Sequence, residues 1–184
     1  MLDTPFFSQR LTADNYQADG FATLAEAKHW TKRICGLACL KMVIAKITGQ
    51  VVTLNTLLQQ GLAADGYMKG VGWIHQSLAD VAYHHYGIRA DCQSIGASLD
   101  PIEEALGQNT LVIASVSCGF KPEKKGGHLV VILAMDKEQL IIHHPSSHKN
   151  EQWPHYRLGK SRFLQCFSEN GNIITVPTQQ TLAQ

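Results

Sequence analysis

The hydrophobic pattern changes its period near residue 108, and this change constrains the fold more than any other sequence feature. Before it, apolar residues recur at helical spacing in three segments, Cys35 to Thr48, Thr53 to Leu62 and Trp73 to Tyr86. Gly49 and Gly87 follow the first and third segments, where a helix commonly ends in a left-handed glycine. We therefore expect three helices in the first half of the chain.

The second half contains short runs rich in β-branched residues, bounded by Gly, Pro, Asn or Asp. These runs predict the strands of one antiparallel sheet: Thr110 to Val116, His128 to Met135, Gln139 to His143 and Asn172 to Val176. Thr4 to Gln9 predicts a further short strand, and Asp100 predicts the N-cap of a helix with Pro101 at its first position. The expected fold is α+β, in one domain over 1–184, with a helical half at about 1–108 packed on a sheet at about 109–178.

The composition limits the kinds of binding partner that we expect for this chain. The 184 residues include 16 Lys and Arg against 15 Asp and Glu, a net charge of +1, which argues against nucleic acid as a main partner. No apolar run approaches the ~20 residues that span a bilayer, and no signal sequence is evident, so we expect no membrane partner. The expected location is the cytoplasm, with export without a classical signal as the alternative. The five cysteines favour free thiols, and the oligomeric state is left open.

Cys35 stands at the start of the first long predicted helix. Unpaired backbone N–H groups and the positive end of the helix dipole favour a thiolate there, which is the reactive form of cysteine. Gly36 places no side chain beside the sulfur and would let a carbonyl substrate approach. The alternative is that Cys35, like Cys39 one turn later, is only a small core residue.

A nucleophilic thiol needs a base, and His128 is the best placed of the nine histidines. It follows two glycines and begins an apolar strand, where packing alone does not call for a polar ring. If the two strands flanking residues 136–138 form a hairpin, His128 lies opposite residue 145 or 146, with His144 one diagonal step away. His144 is therefore the candidate third member, although a carboxylate or amide is more usual in that role. His143 should point to the opposite face of its strand.

Three segments resemble the papain-like cysteine peptidases of the bacteriocin-processing, double-glycine leader peptidase type. They are Pro5 to Gln9, Cys35 to Val43 and Gly127 to Val131, and Gly72 to Gly87 resembles a middle helix of the same group. The resemblance implies a papain-like fold in which Cys35 is the nucleophile, His128 the general base and Gln9 the side-chain donor to the oxyanion. This chain has His144 before Pro145, where family members usually carry Asp, and more residues than usual separate Gln9 from Cys35.

The predicted function is cleavage of peptide or isopeptide bonds in a peptide or protein substrate, through a Cys35 thioester and without a cofactor or metal. Two alternatives remain within the same fold: an amidase or deamidase, and a catalytically weak pseudoenzyme or peptide-binding module. A zinc site is a third class, because cysteines and histidines are plentiful, but no Cys-x-x-Cys pair is present.

Overall fold

The computed structural model describes residues 1–146 and 153–180, which contain helices in both halves of the chain. The α-helices are α1 (Leu24–Trp30), α2 (Cys35–Thr48), α3 (Leu54–Ala63), α4 (His75–Tyr86), α5 (Asp100–Gly107) and α6 (Lys160–Cys166). The strands are β1 (Tyr67–Met68), β2 (Gly72–Trp73), β3 (Asp91–Ser94), β4 (Thr110–Ser117), β5 (Gly127–Met135), β6 (Gln139–His144), β7 (Trp153–Gly159) and β8 (Asn172–Pro177). A short 3-10 helix covers Cys118–Phe120.

Six strands form one antiparallel sheet in the order β3-β8-β4-β5-β6-β7, and β1 and β2 form a separate small hairpin. The four predicted strands are all present, within one or two residues of their predicted ends. The α+β fold, with helices packed on an antiparallel sheet, is therefore confirmed. None of the helices in the described parts of the chain has the length and apolar character that crossing a bilayer demands.

The sheet has an apolar cluster on each face, which explains why its central strands read as continuous apolar runs. Helices α2, α3 and α4 pack with Leu129 and Val131 on one face, whereas α5 and α6 pack with Val130 and Ile132 on the other. All eight residues of β4 are buried. Strands enclosed on both faces lose the polar alternation of a half-exposed sheet, since neither face meets water.

Helix α2 lies in the middle of the first cluster and is almost wholly buried from Gly36 to Ile44. Its Lys41 is the exception to its apolar character, and the Lys41 ammonium meets Asp19 Oδ1 at 2.6 Å. Asp19 Oδ1 also accepts a hydrogen bond from the Leu54 N–H at the start of α3. The ion pair thus ties α2 and α3 to the loop before α1. Gly49 ends α2 with a φ of 74°, as predicted.

Two local predictions were wrong, and one strand lies where none was predicted. Thr4 to Gln9 is not a strand, and the N-terminal segment instead lies along the sheet through a bond from the Leu2 N–H to the Leu133 carbonyl. Asp100 is the first residue of α5 and not its cap, since Leu99 takes the cap position. Strand β3 falls inside the predicted helical half and pairs with β8 at the sheet edge.

Candidate active site

Cys35 is the first residue of α2 and lies in the wall of a cavity of about 790 Å³. Ile34, before it, has a non-helical backbone with φ −110° and ψ 25° and is fully buried, which fixes where the helix begins. Cys39, one turn further on, is fully buried in the apolar cluster, as expected of a core residue. The two cysteines therefore have different surroundings, and only Cys35 meets the cavity.

Burial raises the pKa of the Cys35 thiol to about 11, whereas backbone hydrogen bonds from Leu129, Gly36 and Cys35 itself act to lower it. The N–H groups at the helix start thus act in the predicted direction, but loss of solvation has the larger effect on the pKa. A thiol whose pKa is raised by burial depends on a neighbouring base to become a nucleophile. The hydrogen bond between the Leu129 backbone and Cys35, which lowers this pKa, indicates that the sulfur lies next to β5. Leu129 directly follows His128 in that strand.

Gly36 lies where α2 is tightly packed against its neighbours. A Cβ atom at this position would come within 3.0 Å of a methyl carbon of Leu129 and of Leu78, and within 3.5 Å of Trp73. The absent side chain would therefore point into the apolar cluster, and the glycine lets α2 approach β5 and α4 closely. This role differs from the predicted one, in which the glycine opened space for a substrate carbonyl.

His128 lies at the beginning of β5, paired with Val116 of β4. The two glycines before it have φ values of 73° and 85°, which a side chain rarely adopts, and Gly127 donates to the Ser115 hydroxyl at 3.3 Å. His128 is 5% exposed and lies in the wall of the same cavity as Cys35. The two residues of the predicted pair are therefore brought to one cavity.

His144 lies beside His128, because β5 and β6 form the predicted hairpin. Val131 pairs with His143, so His128 falls opposite position 146 and His144 is its diagonal neighbour. The two imidazole centroids are 4.5 Å apart. On its other sides His144 meets Trp153 at 4.5 Å and Phe120 at 5.1 Å. His144 is 1% exposed and stands behind His128, outside the described cavity wall.

Gln9 is buried near the end of α1, and its side-chain amide donates to the Thr31 carbonyl at 2.8 Å. The Thr31 hydroxyl in turn donates to the Gln9 carbonyl at 3.2 Å. Gln9 is not among the residues that line the cavity in the described parts of the chain. Its role as oxyanion donor stays a prediction, and these contacts give it an anchoring role in this state.

The sequence reasoning missed an aromatic wall on the helical side of the cavity. Tyr67 and Trp73 from the β1–β2 hairpin both line it, with ring centroids 5.3 Å apart, and Tyr67 also meets Trp30 at 5.3 Å. The Trp73 indole donates to the Arg33 carbonyl at 2.7 Å, just before Cys35. The glycine-rich run from Gly66 to Gly72 was the available signal, since such runs mark tight turns.

Cys118 also lies in the cavity wall, at the start of the 3-10 helix that follows β4. The described residues contain no group of three or more His, Cys, Asp or Glu side chains arranged to hold a metal ion.

A comparison with known protein families assigns the chain as a whole. The sequence model of the Peptidase C39 like family matches residues 1–174. The chain belongs to this family. That membership confirms the resemblance drawn from the Cys35 and His128 segments, and it makes a peptidase the expected class of protein. No curated protein sequence matches the chain.

Solved structures show the same fold in C39 peptidases. A C39-like peptidase from Bacillus anthracis has a TM-score of 0.63 at 15% identity, over 96% of each chain. The peptidase domain of Streptococcus ComA, a bifunctional ABC transporter of a quorum-sensing pathway, has a TM-score of 0.58 at 20% identity, over 79% of this chain and 92% of the domain. A double-glycine-motif protease from an AMS/PCAT transporter, in complex with the leader peptide, has a TM-score of 0.60 at 16% identity, over 95% of this chain and 92% of the protease.

Proposed function

We propose that this protein is a cysteine peptidase in which Cys35 attacks the substrate carbonyl and His128 acts as general base. The observation that carries the proposal is that both residues line one cavity, with the Cys35 sulfur under the influence of the backbone next to His128. Family membership supports peptide-bond chemistry, and the related AMS/PCAT protease in complex with a leader peptide supports a peptide or protein substrate.

The first half of the reaction forms a thioester. His128 takes the proton from the Cys35 sulfur as the sulfur bonds to the carbonyl carbon, and the carbonyl oxygen becomes an oxyanion. The backbone N–H groups at the start of α2 have no partner within the helix and can stabilise this charge. The protonated His128 then gives its proton to the leaving amine as the carbon–nitrogen bond breaks.

The second half releases the acid product. His128 accepts a proton from a water molecule that attacks the thioester, and the sulfur leaves and is reprotonated. His144 is the positioning residue of this scheme, because its ring lies 4.5 Å from that of His128. A deamidase forms the same thioester from a side-chain amide instead of a peptide bond. An amide transferase resolves the thioester with a second amine instead of water.

Cys35→Ala tests the proposal, with Cys39→Ala as its matched control. Both changes remove one sulfur from α2, but only the first removes it from the cavity. We expect hydrolysis of a fluorogenic casein or a synthetic peptide mixture to be lost in Cys35→Ala and kept in Cys39→Ala. Turnover that persists in folded Cys35→Ala protein would exclude the thioester mechanism.

A binding module without catalysis is the second candidate, and two observations favour it. His144 replaces the carboxylate usual in the family, and burial raises the pKa of the Cys35 thiol to about 11. Iodoacetamide labelling distinguishes the candidates at pH 7. If Cys35 is labelled faster than a free thiol and the rate falls when His128 is replaced, the result supports catalysis. If Cys35 is labelled more slowly and the rate is unchanged when His128 is replaced, the result supports binding alone.

A further inference from the structure

The cavity that holds Cys35 carries positive charge from two sides. Lys32 and Arg33 come from the loop just before Cys35, and Lys125 comes from the loop just before His128. All three residues are exposed, and Arg33 also donates to the His29 carbonyl at the end of α1. The two catalytic candidates therefore lie between basic residues of separate loops.

The described residues supply no carboxylate to the wall of this cavity. Asp80 and Asp91 act electrostatically on the wall residue Cys92, at the β3 end of the cavity. The asymmetry is local, since the whole chain has 16 basic and 15 acidic residues. A nearly neutral protein thus concentrates three permanent cations in one concave site.

A concave site lined by one sign of charge attracts ligands of the other sign more strongly than a flat surface does. The remaining wall is uncharged: it is aromatic at Tyr67 and Trp73 and polar at Gln93, Ser94 and Asn172. An extended peptide can place its backbone on this neutral wall and its acidic side chains beside the cations. Resting on the proposed peptidase function, we propose that the substrates of this site are acidic peptides, with Asp or Glu side chains near the scissile bond, and that Lys32, Arg33 and Lys125 determine this specificity.

The electrostatic part of the proposal can be tested without any substrate. Two methanethiosulfonate reagents of similar size, one ending in an anionic sulfonate and one in a cationic trimethylammonium, modify Cys35, and mass spectrometry separates its modification from that of Cys92 and Cys118. We expect the anionic reagent to be favoured. The ratio of the two rate constants should fall about tenfold in the triple variant Lys32→Gln, Arg33→Gln, Lys125→Gln.

The matched control removes the same three charge types elsewhere, through Lys28→Gln, Lys137→Gln and Arg162→Gln. These residues are exposed and do not line the cavity. The control should keep the wild-type ratio at low salt, and added salt should reduce that ratio in the wild type. An equal ratio in the wild type and the cavity variant would overturn the proposal, as would an equal fall in the control.

Peptide cleavage supplies the second arm. A mixture of C-terminally amidated peptides that differ only in Glu, Gln or Lys near each potential cleavage site should be cut first next to Glu, and the cavity variant should lose this preference mainly through KM. A preference for Gln or Lys at these positions, or no preference, would contradict the proposal. If nothing is cut while the reagent ratios follow the expected pattern, the peptidase function fails and the charge selectivity stands.

Discussion

Strand β6 carries two adjacent buried histidines, His143 and His144, whose surroundings differ completely. His144 lies 4.5 Å from the ring of His128 and packs against aromatic rings. His143 has hydrogen-bond partners on both nitrogens: Nε2 donates to the Thr4 carbonyl at 2.9 Å, and Nδ1 accepts from the His155 N–H at 3.1 Å. Successive strand residues face opposite sides, so the two rings belong to different layers of the molecule.

The comparison teaches that burial alone does not separate a candidate catalytic histidine from one that only supports the fold. His143 is 0% exposed and His144 is 1% exposed. What distinguishes them is their neighbours: His143 fastens the N-terminal segment to β6 and β7, whereas His144 supports the ring that shares a cavity with Cys35. The contrast predicts that changes on the His144 face alter catalysis and that changes at His143 alter stability.

The largest effect is expected at His128, on the catalytic face. In the proposed mechanism His128→Ala removes the group that accepts the Cys35 proton, and general base catalysis contributes about 10²- to 10⁴-fold. Peptide turnover should fall by this factor, with Cys35 alkylation at pH 7 falling in parallel because burial keeps the thiol protonated. His85→Ala, at an exposed position on α4, should leave both rates unchanged. Similar rates in His128→Ala and the wild type would remove His128 from the mechanism.

The next largest effect is expected at His144. A residue that positions His128 needs a hydrogen-bonding group, whereas a residue that only packs against its aromatic neighbours needs a ring. His144→Asn keeps a hydrogen-bond acceptor but loses the ring, whereas His144→Phe keeps a ring among Phe120 and Trp153 but loses the acceptor. If His144 positions His128, the Phe variant should lose up to about a hundredfold in kcat, since misplacement of a catalytic group costs that much. The Asn variant should then retain most activity. An active Phe variant with an inactive Asn variant would assign His144 to packing.

Sequence periodicity predicted the central elements well for a physical reason. The strands β4, β5, β6 and β8 and helix α2 are long or strongly apolar, so their patterns are clear. Strand β7 was missed because only Leu158 of its seven residues is buried. Strand β3 is short and mostly exposed and pairs only through the distant β8. Elements whose register depends on a remote partner leave little trace in local sequence.

The candidate site was predictable in part for a related reason. A cysteine before a glycine at a helix start and a histidine after two glycines are local signals, and the hairpin places His144 by counting residues. The pKa of Cys35 is raised by burial, and Gly36 packs tightly against Leu129, Leu78 and Trp73. Both features arise only in the folded chain. The contacts of Gln9 with Thr31 depend on tertiary structure in the same way.

Changes at His143, on the other face of β6, should alter the free energy of unfolding. His143→Phe keeps a ring beside Phe6, whose centroid lies 5.3 Å from that of His143, but it removes both hydrogen bonds. The Thr4 carbonyl is buried and would lose its donor, so we expect the free energy of unfolding to fall by about 1–3 kcal/mol. His155→Asn is the matched control, because His155 contributes its backbone N–H and Asn tolerates its φ of 53°. Urea denaturation measures both, and Cys35 labelling of folded protein should be unchanged in each.

The smallest expected effect is a pH dependence of stability on the same face. Burial, followed by the nearby His155, lowers the pKa of His143 against the opposing bond to Thr4. The folded state therefore binds fewer protons at this ring than the unfolded chain, and stability falls as pH drops below about 6.5, the pKa of an unperturbed histidine. The melting temperature of the wild type should decrease between pH 7 and pH 5 more steeply than that of His143→Phe, which has no group to titrate there. Equal slopes of melting temperature against pH in the two proteins would assign the acid sensitivity to other groups. His75 would then be the first residue to replace, because burial also lowers its pKa.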